Sequence, residues 1–219
     1  MILPKITKTQ QHILFLFYKF RFLHTNQLQI LLNHKNPNYA QILLKNLKDN
    51  GYITTDSKPK TFKDMTKPAV YHLATKARHI LKENEDCDIS VLNRIYKEKK
   101  RTETFINHCL AVVDLYLFFL SQKEKDQELD FFTESELVNY SFFPNTLPSA
   151  YIAVTTGNST RRYFLDFFDG FIPPSVLRYR FQTYLKYADG GDWEANANGE
   201  AFPSVLFVCS SQRRKNHIF

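Results

Sequence analysis

The apolar positions of the first 83 residues fall into helical spacing and then strand spacing. From Thr7 to Leu23, the residues Ile13, Leu14, Leu16, Phe17, Phe20 and Leu23 form a wide helical face, with Thr7 or Thr9 as cap. A second helix is predicted from Thr25, whose hydroxyl suits an N-cap, with Leu28, Leu31 and Leu32 on one side. Asn33 to Asn36 break that pattern, and Pro37 fits the first turn of a third helix. This third helix is predicted to carry Ile42, Leu43 and Leu47 inward and to end at Gly51. Its outer face then holds Asn38, Tyr39, Gln41, Lys45, Asn46 and Lys48. Two β-prone runs follow, Tyr52 to Thr55 and Val70 to Leu73. Between them lies a polar loop, Asp56 to Pro68, containing Lys58, Lys60, Lys63 and Lys67. A helix over Lys76 to Glu83, capped by Thr75, completes the order expected of a winged helix-turn-helix.

The rest of the chain alternates differently. Asn84 to Ser90 is acidic and polar and reads as a linker. Val91 to Lys100 reads as a short helix ending in the basic cluster Lys97, Lys99, Lys100 and Arg101. Phe105, Cys109, Val112, Val113, Tyr116, Leu117 and Leu120 predict a long helix over Thr102 to Gln122. Strands are predicted over 129–134, 150–156 and 162–168, the last two joined by Gly157-Asn158-Ser159. A helix over Pro174 to Ala188, a loop over 189–203 and a buried-type strand over Ser204 to Cys209 complete the pattern. The tail SSQRRKNHIF reads as the cap and first turns of another helix, so a truncated chain is expected. The fold class is α+β. The expected domains are 1–83, a winged helix; 84–101, a linker with a short helix; and 102–219, a mixed α/β unit.

Charge sharpens this division. The chain has 219 residues and a net charge of +7, with the hydrophobic and charged fractions of a globular protein. Residues 1–82 hold 14 Lys and Arg against 3 Asp and Glu, whereas residues 83–219 hold 15 against 19. A basic first unit points to a polyanionic partner. No apolar run is read as reaching the roughly 20 residues that span a bilayer; Ile13 to Phe22 is short and interrupted. The opening MILPKITKTQQH lacks the apolar core of a secretory signal. Cys87, Cys109 and Cys209 are far apart and odd in number, which fits a reducing cytoplasm better than a disulfide framework. No membrane partner is expected.

The outer face of the third helix is the first candidate site. Amides can read base edges and lysines neutralise phosphates, so this face and the loop lysines suit duplex DNA. A polar outer face is also ordinary solvated structure, and many winged helices bind proteins instead. Enzyme chemistry has little support. The seven histidines are scattered without an HExxH pair. There is no Walker loop, no GxGxxG and no nucleophile elbow around Ser210-Ser211. His24 reads as structural and Trp193 as a loop anchor.

Several motifs resemble those of the replication-relaxation family of plasmids and other mobile elements. They are TNQLQILL, LLKNLKDNGYI, VYHLATKARHIL, the helix INHCLAVVDLYLFF with His108, then FFTESEL, YFLDFFDG, RFQTYLKYADGGDW and FPSVLFVC. The resemblance covers nearly the whole chain. It implies an N-terminal winged helix and a C-terminal unit like a degraded PD-(D/E)xK nuclease. That chemistry needs an acid on one strand and a D/E-x-K on the next, the carboxylates holding a divalent metal. Here the first position reads Pro148-Ser149, and no lysine stands two residues after Asp166. Lys186 lies on the following helix. Asp169 is expected to face away from Asp166. Asp166 and Glu134 are therefore the only weak metal candidates, with Glu136 beside Glu134 on one predicted strand face. No cofactor and no catalysis are expected. The leading expectation is a DNA-binding factor in replication, mobilisation or their transcriptional control. Its expected partners are double-stranded DNA, a second copy, and a relaxase or replication initiator. The alternatives are a metal-dependent nuclease and a protein-interaction module.

Overall fold

The computed structural model describes residues 6–55, 68–168 and 173–209. The chain divides into two compact units, Met1–Phe118 and Phe119–Phe219. The stretch expected as a linker, 84–101, therefore lies inside the first unit.

The first unit begins with α1 (Lys8–Phe20). The Thr7 hydroxyl accepts the Gln10 N–H at 3.3 Å, and the Gln10 side chain accepts the Thr7 N–H at 3.0 Å. These two bonds satisfy donors that a helix start would leave unpaired. Arg21, at φ +68°, turns the chain out of the helix. Phe22 and Leu23, expected as the end of α1, instead form strand β1 (Phe22–His24). Helix α2 (Thr25–Leu31) is capped by His24, not by Thr25. His24 Nδ1 accepts the Gln27 N–H at 3.3 Å, and Gln27 Oε1 accepts the His24 N–H at 3.3 Å.

Helix α3 (Pro37–Asp49) has Pro37 in its first turn, and the Asn36 side chain accepts the Asn38 N–H at 2.9 Å. Its inner face is Ala40, Leu44 and Leu47, each 1% exposed or less. Ile42, expected inside, is 63% exposed. The reason is angular: Ala40, Leu44 and Leu47 are four and three residues apart on one stripe, and Ile42 lies two residues from Ala40, across the helix. Gly51 follows at φ +73°, a left-handed position suited to glycine, and releases the chain into β2 (Ile53–Thr55). With β3 (Val70–Leu73) the sheet has the antiparallel order β1-β3-β2. Leu23 pairs with Tyr71, and Ile53 with Leu73. Phe17, Phe22, Leu28, Leu44 and Ile53 are buried in this unit.

Beyond β3 a 3₁₀ turn (Thr75–Ala77) leads into α4 (Arg78–Leu81), shorter than the helix expected over 76–83. Asp88 caps α5 (Ile89–Leu92), and a 3₁₀ helix runs from Ile95 to Lys100. Cys87, Leu92 and Ile95 are buried, and the Tyr18 hydroxyl accepts the Asp88 N–H at 2.8 Å. Packing thus holds residues whose polar composition looked like a linker.

Helix α6 (Glu103–Gln122) carries Cys109, Val112 and Val113 inward. Buried Gln27 donates to the Leu110 carbonyl at 3.0 Å and to Asp114 Oδ1 at 2.7 Å. Among the described residues α6 is the one helix long and apolar enough to cross a membrane by length and composition, with mean hydropathy 1.5. This corrects the reading that no run reaches that length. The interruptions His108 and Asp114 are too few to lower the average.

The second unit contains a four-stranded sheet of order β4-β5-β6-β7. Strands β4 (Gln127–Thr133), β5 (Ala150–Thr156) and β6 (Ser159–Phe168) are antiparallel neighbours. Gly157, at φ +56°, opens the tight turn between β5 and β6. Helix α7 (Glu134–Leu137) follows β4. Helix α8 (Pro174–Asp189) carries the crossover, and β7 (Ser204–Cys209) lies parallel to β6. Within the stretch expected to be all loop, α9 (Asp192–Asn196) places Trp193 in the core. Its indole N–H lies 3.0 Å from the Glu200 carbonyl and 3.1 Å from that of Ala201. Phe143, Phe164, Tyr184, Tyr187 and Trp193 form an aromatic core on one face of this sheet.

Candidate functional site

Two places answer to the candidate residues. The first is the outer face of α3. Its inner stripe is fixed by burial, so Asn38, Gln41, Lys45 and Lys48 stand exposed, with Ile42 among them. Tyr39 is half-buried and stacks on His34, ring centroids 4.0 Å apart at 22°. That stack uses the ring face of Tyr39 to brace the turn between α2 and α3. Lys48 Nζ donates to the Thr55 hydroxyl at 3.1 Å, tying the end of α3 to β2. Asn46 differs from its neighbours. Its Oδ1 accepts from Gln10 Nε2 at 2.7 Å and from Asn50 Nδ2 at 3.3 Å. Asn46 therefore clamps α3 to α1, and it reads as a positioning residue rather than a base reader. Lys58, Lys60, Lys63 and Lys67 lie outside the described residues.

The second place is the Asp166 carboxylate on β6, 4% exposed. The sequence offers it as a weak metal candidate. Arg180 of α8 closes on it: Nε to Oδ2 is 2.5 Å and Nη2 to Oδ1 is 3.0 Å. The Tyr184 hydroxyl donates to Oδ2 at 2.9 Å, and the Ser149 N–H to Oδ1 at 3.1 Å. Arg180 also donates to the carbonyls of Thr146 and Leu147. Burial works against the charge on the Arg180 guanidinium, but the bonded Asp166 carboxylate outweighs it and holds its pKa above the ordinary value. Burial, reinforced by the Asp166 charge, raises the Tyr184 phenol well above its usual value. Tyr187 is pushed up to about 12, first by burial and then by Asp192.

These residues do not fit a divalent cation. Ser149 sits across from Asp166 just before β5, where the metal chemistry needs a second carboxylate, and it contributes N–H and hydroxyl donors instead. A carboxylate can accept about four hydrogen bonds, and Arg180, Tyr184 and Ser149 supply five here, the Ser149 hydroxyl adding a long one at 3.5 Å. Glu134 does not stand on a strand, as expected, but begins α7 and is exposed. Glu136 is drawn into the cap of that helix, accepting the Thr133 N–H at 2.8 Å. The pair reads as strand from its apolar flanks, but Thr133-x-x-Glu136 is a capping box. No cluster of three or more His, Cys, Asp and Glu suited to a metal occurs among the described residues. Asp169 lies outside them.

Arg180 and Tyr184 were missed by sequence reading. Their signal was present: they share one stripe of α8 with Leu177 and Tyr187, all buried. An arginine on an apolar stripe calls for a buried acid.

A family model for replication-relaxation proteins matches residues 14–203. The chain belongs to the replication-relaxation family. That match runs from the middle of α1 to the residue before β7, so both candidate places lie within it. No curated protein and no solved structure matches the chain. Membership of the replication-relaxation family associates the chain with replication or mobilisation of plasmids and other mobile elements.

Proposed function

We propose that this chain is a cytoplasmic, non-catalytic factor that binds double-stranded DNA through a winged helix and serves replication, mobilisation or their transcriptional control. The observation that carries the reading is the division of α3 into two faces. Ala40, Leu44 and Leu47 anchor one, and Asn38, Gln41 and Lys45 are exposed on the other. A helix held this way can present its amides to the base edges of a major groove without rearranging. The β1-β3-β2 sheet packs beside it, and the sequence between β2 and β3 supplies Lys58, Lys60, Lys63 and Lys67 as the phosphate contacts of this reading.

Absence of catalysis is supported by the Asp166 centre. A carboxylate already held by a guanidinium, a phenol and a backbone N–H has no electron pairs directed to a metal. The second unit then serves as a scaffold, for a second copy or for a relaxase or replication initiator.

Mobility shifts on linear and supercoiled duplex, at several salt concentrations and with Mg²⁺ or Mn²⁺ present, test both parts. The expected result is salt-sensitive binding with intact DNA. Cleavage abolished by Asp166→Ala would overturn the non-catalytic reading. Failure to retard any duplex would overturn DNA binding.

A further inference from the structure

We propose that the 3₁₀ helix Ile95–Lys100 is a second DNA-backbone contact, separate from α3, in which Lys97, Lys99 and Lys100 each meet a phosphate. This rests on the reading of the chain as a duplex-DNA binder and extends it to a surface outside the winged-helix elements.

The sequence IYKEKKR has the period of a 3₁₀ helix, in which residues three apart eclipse one another. Ile95, Glu98 and Arg101 therefore share one side. Ile95 and Glu98 are buried, each 6% exposed. Glu98 is paired in charge from within: Arg21 Nη2 lies 2.6 Å from its Oε1, and Arg101 Nε lies 3.8 Å from its Oε2, close enough for an ion pair but not for a hydrogen bond. The guanidinium groups of Arg21 and Arg101 lie 4.5 and 4.6 Å from the centroid of the Phe105 ring. The segment's one acid is thus neutralised from within, and its inner side is fixed by an ion pair, two cation–π contacts and an apolar anchor.

The other two sides face outward. Lys97 and Lys100 share one, Tyr96 and Lys99 the other, and all four are exposed, Tyr96 by 56%. The result is three lysines and a phenol on a braced element. Lysines and tyrosine hydroxyls are among the groups that bond DNA phosphates without reading sequence. A surface lysine on a mobile loop would lose more conformational entropy on binding than one on this clamped helix.

The position extends the footprint. Gln10 of α1 holds Asn46 of α3, and Arg21, just past the end of α1, holds Glu98. At 1.5 Å per helical residue those two tethers are about 17 Å apart along α1. The 3₁₀ helix is thus tethered apart from α3, and the proposed contact is with phosphates other than those that α3 meets.

The test compares wild type, a Lys97→Gln/Lys99→Gln/Lys100→Gln variant and the corresponding triple Lys→Arg variant, all full-length. Thermal melting confirms that each folds. Affinity for one duplex is measured across a salt series. Each phosphate contact contributes about 0.9 to the slope of log K against log salt, so the glutamine variant should lose about 2.7 from it. The arginine variant should keep the wild-type slope, and preference among duplex sequences should not change in either. A glutamine variant with the wild-type slope would overturn this contact alone and leave α3 binding in place. A wild-type chain that binds no duplex would overturn the proposed function and this contact together.

Discussion

The outer face of α3 and the Asp166 centre both gather polar side chains, and they do opposite things with them. On α3 the inner stripe is apolar, so Asn38, Gln41 and Lys45 are left to water. Their hydrogen-bonding capacity is unspent and can be transferred to a ligand at small desolvation cost. Around Asp166 the polar groups point inward and satisfy one another. Buried polar atoms must find partners, and once found those partners exclude a ligand. The comparison teaches that polar residue type does not identify a site. What identifies one is whether the donors and acceptors are already used.

The largest expected effect comes from reopening the closed centre. Arg180→Met leaves the Asp166 carboxylate buried with only Tyr184 and Ser149. Breaking a buried ion pair from one side costs about 3–5 kcal/mol. Denaturant unfolding of the full chain should show that loss in the transition of the second unit. The double variant Arg180→Met/Asp166→Leu should recover most of it, because an apolar pair of similar volume is often neutral. A single variant that loses under about 1 kcal/mol would mean that water already solvates the pair. In that case the contrast with α3 would fail.

A smaller effect separates two amides on the same helix. Gln41→Ala should lower preference for a cognate duplex by about 1–3 kcal/mol, the range of a good bidentate base contact, and leave the melting temperature unchanged. Asn46→Ala should do the reverse. It removes the acceptor for Gln10 and should cost about 0.5–1.5 kcal/mol of stability. Any effect on DNA would then be spread evenly over all sequences. If Asn46→Ala alters sequence preference while stability holds, Asn46 reads bases and its bond to Gln10 is incidental.

How much of this the sequence disclosed depends on range. Capping boxes, the Pro37 start and the Gly51 stop are local, and α3 was legible to within a residue. The assignment of its faces was not, because Ile42, Leu43, Leu44 and Leu47 offer two overlapping stripes and only packing chooses between them. Strand β1 was hidden because Phe22 and Leu23 continue the apolar run of α1, and the break depends on the backbone at Arg21. The packing of 84–101 was hidden because Cys87, Leu92 and Ile95 are few apolar residues in a polar stretch. For Asp166, the absence of a partner acid at Ser149 was readable. The reason its carboxylate is closed was not, because Arg180 approaches it across the sheet from α8.

The smallest effect concerns the cap of α2, and it sharpens the comparison at a single titratable group. His24 is neither open like Gln41 nor closed like Asp166: its Nδ1 accepts the Gln27 N–H at 3.3 Å, and the side chain is half-buried. Burial lowers its pKa below the ordinary histidine value of 6.5, with Asp114 partly opposing. A protonated Nδ1 would be a donor and could not accept that N–H, so the geometry and the direction of the shift agree. The unfolded chain then binds the proton more readily than the folded one. The contribution of His24 to stability is complete above pH 6.5, and it is lost as pH falls from there through the lowered folded value. Urea unfolding between pH 8 and pH 5 should show stability falling with acid through this window. In a His24→Asn variant, which keeps a capping side chain without the titration, that part of the slope should disappear. An identical slope in both chains would assign the acid sensitivity elsewhere and leave His24 a passive cap.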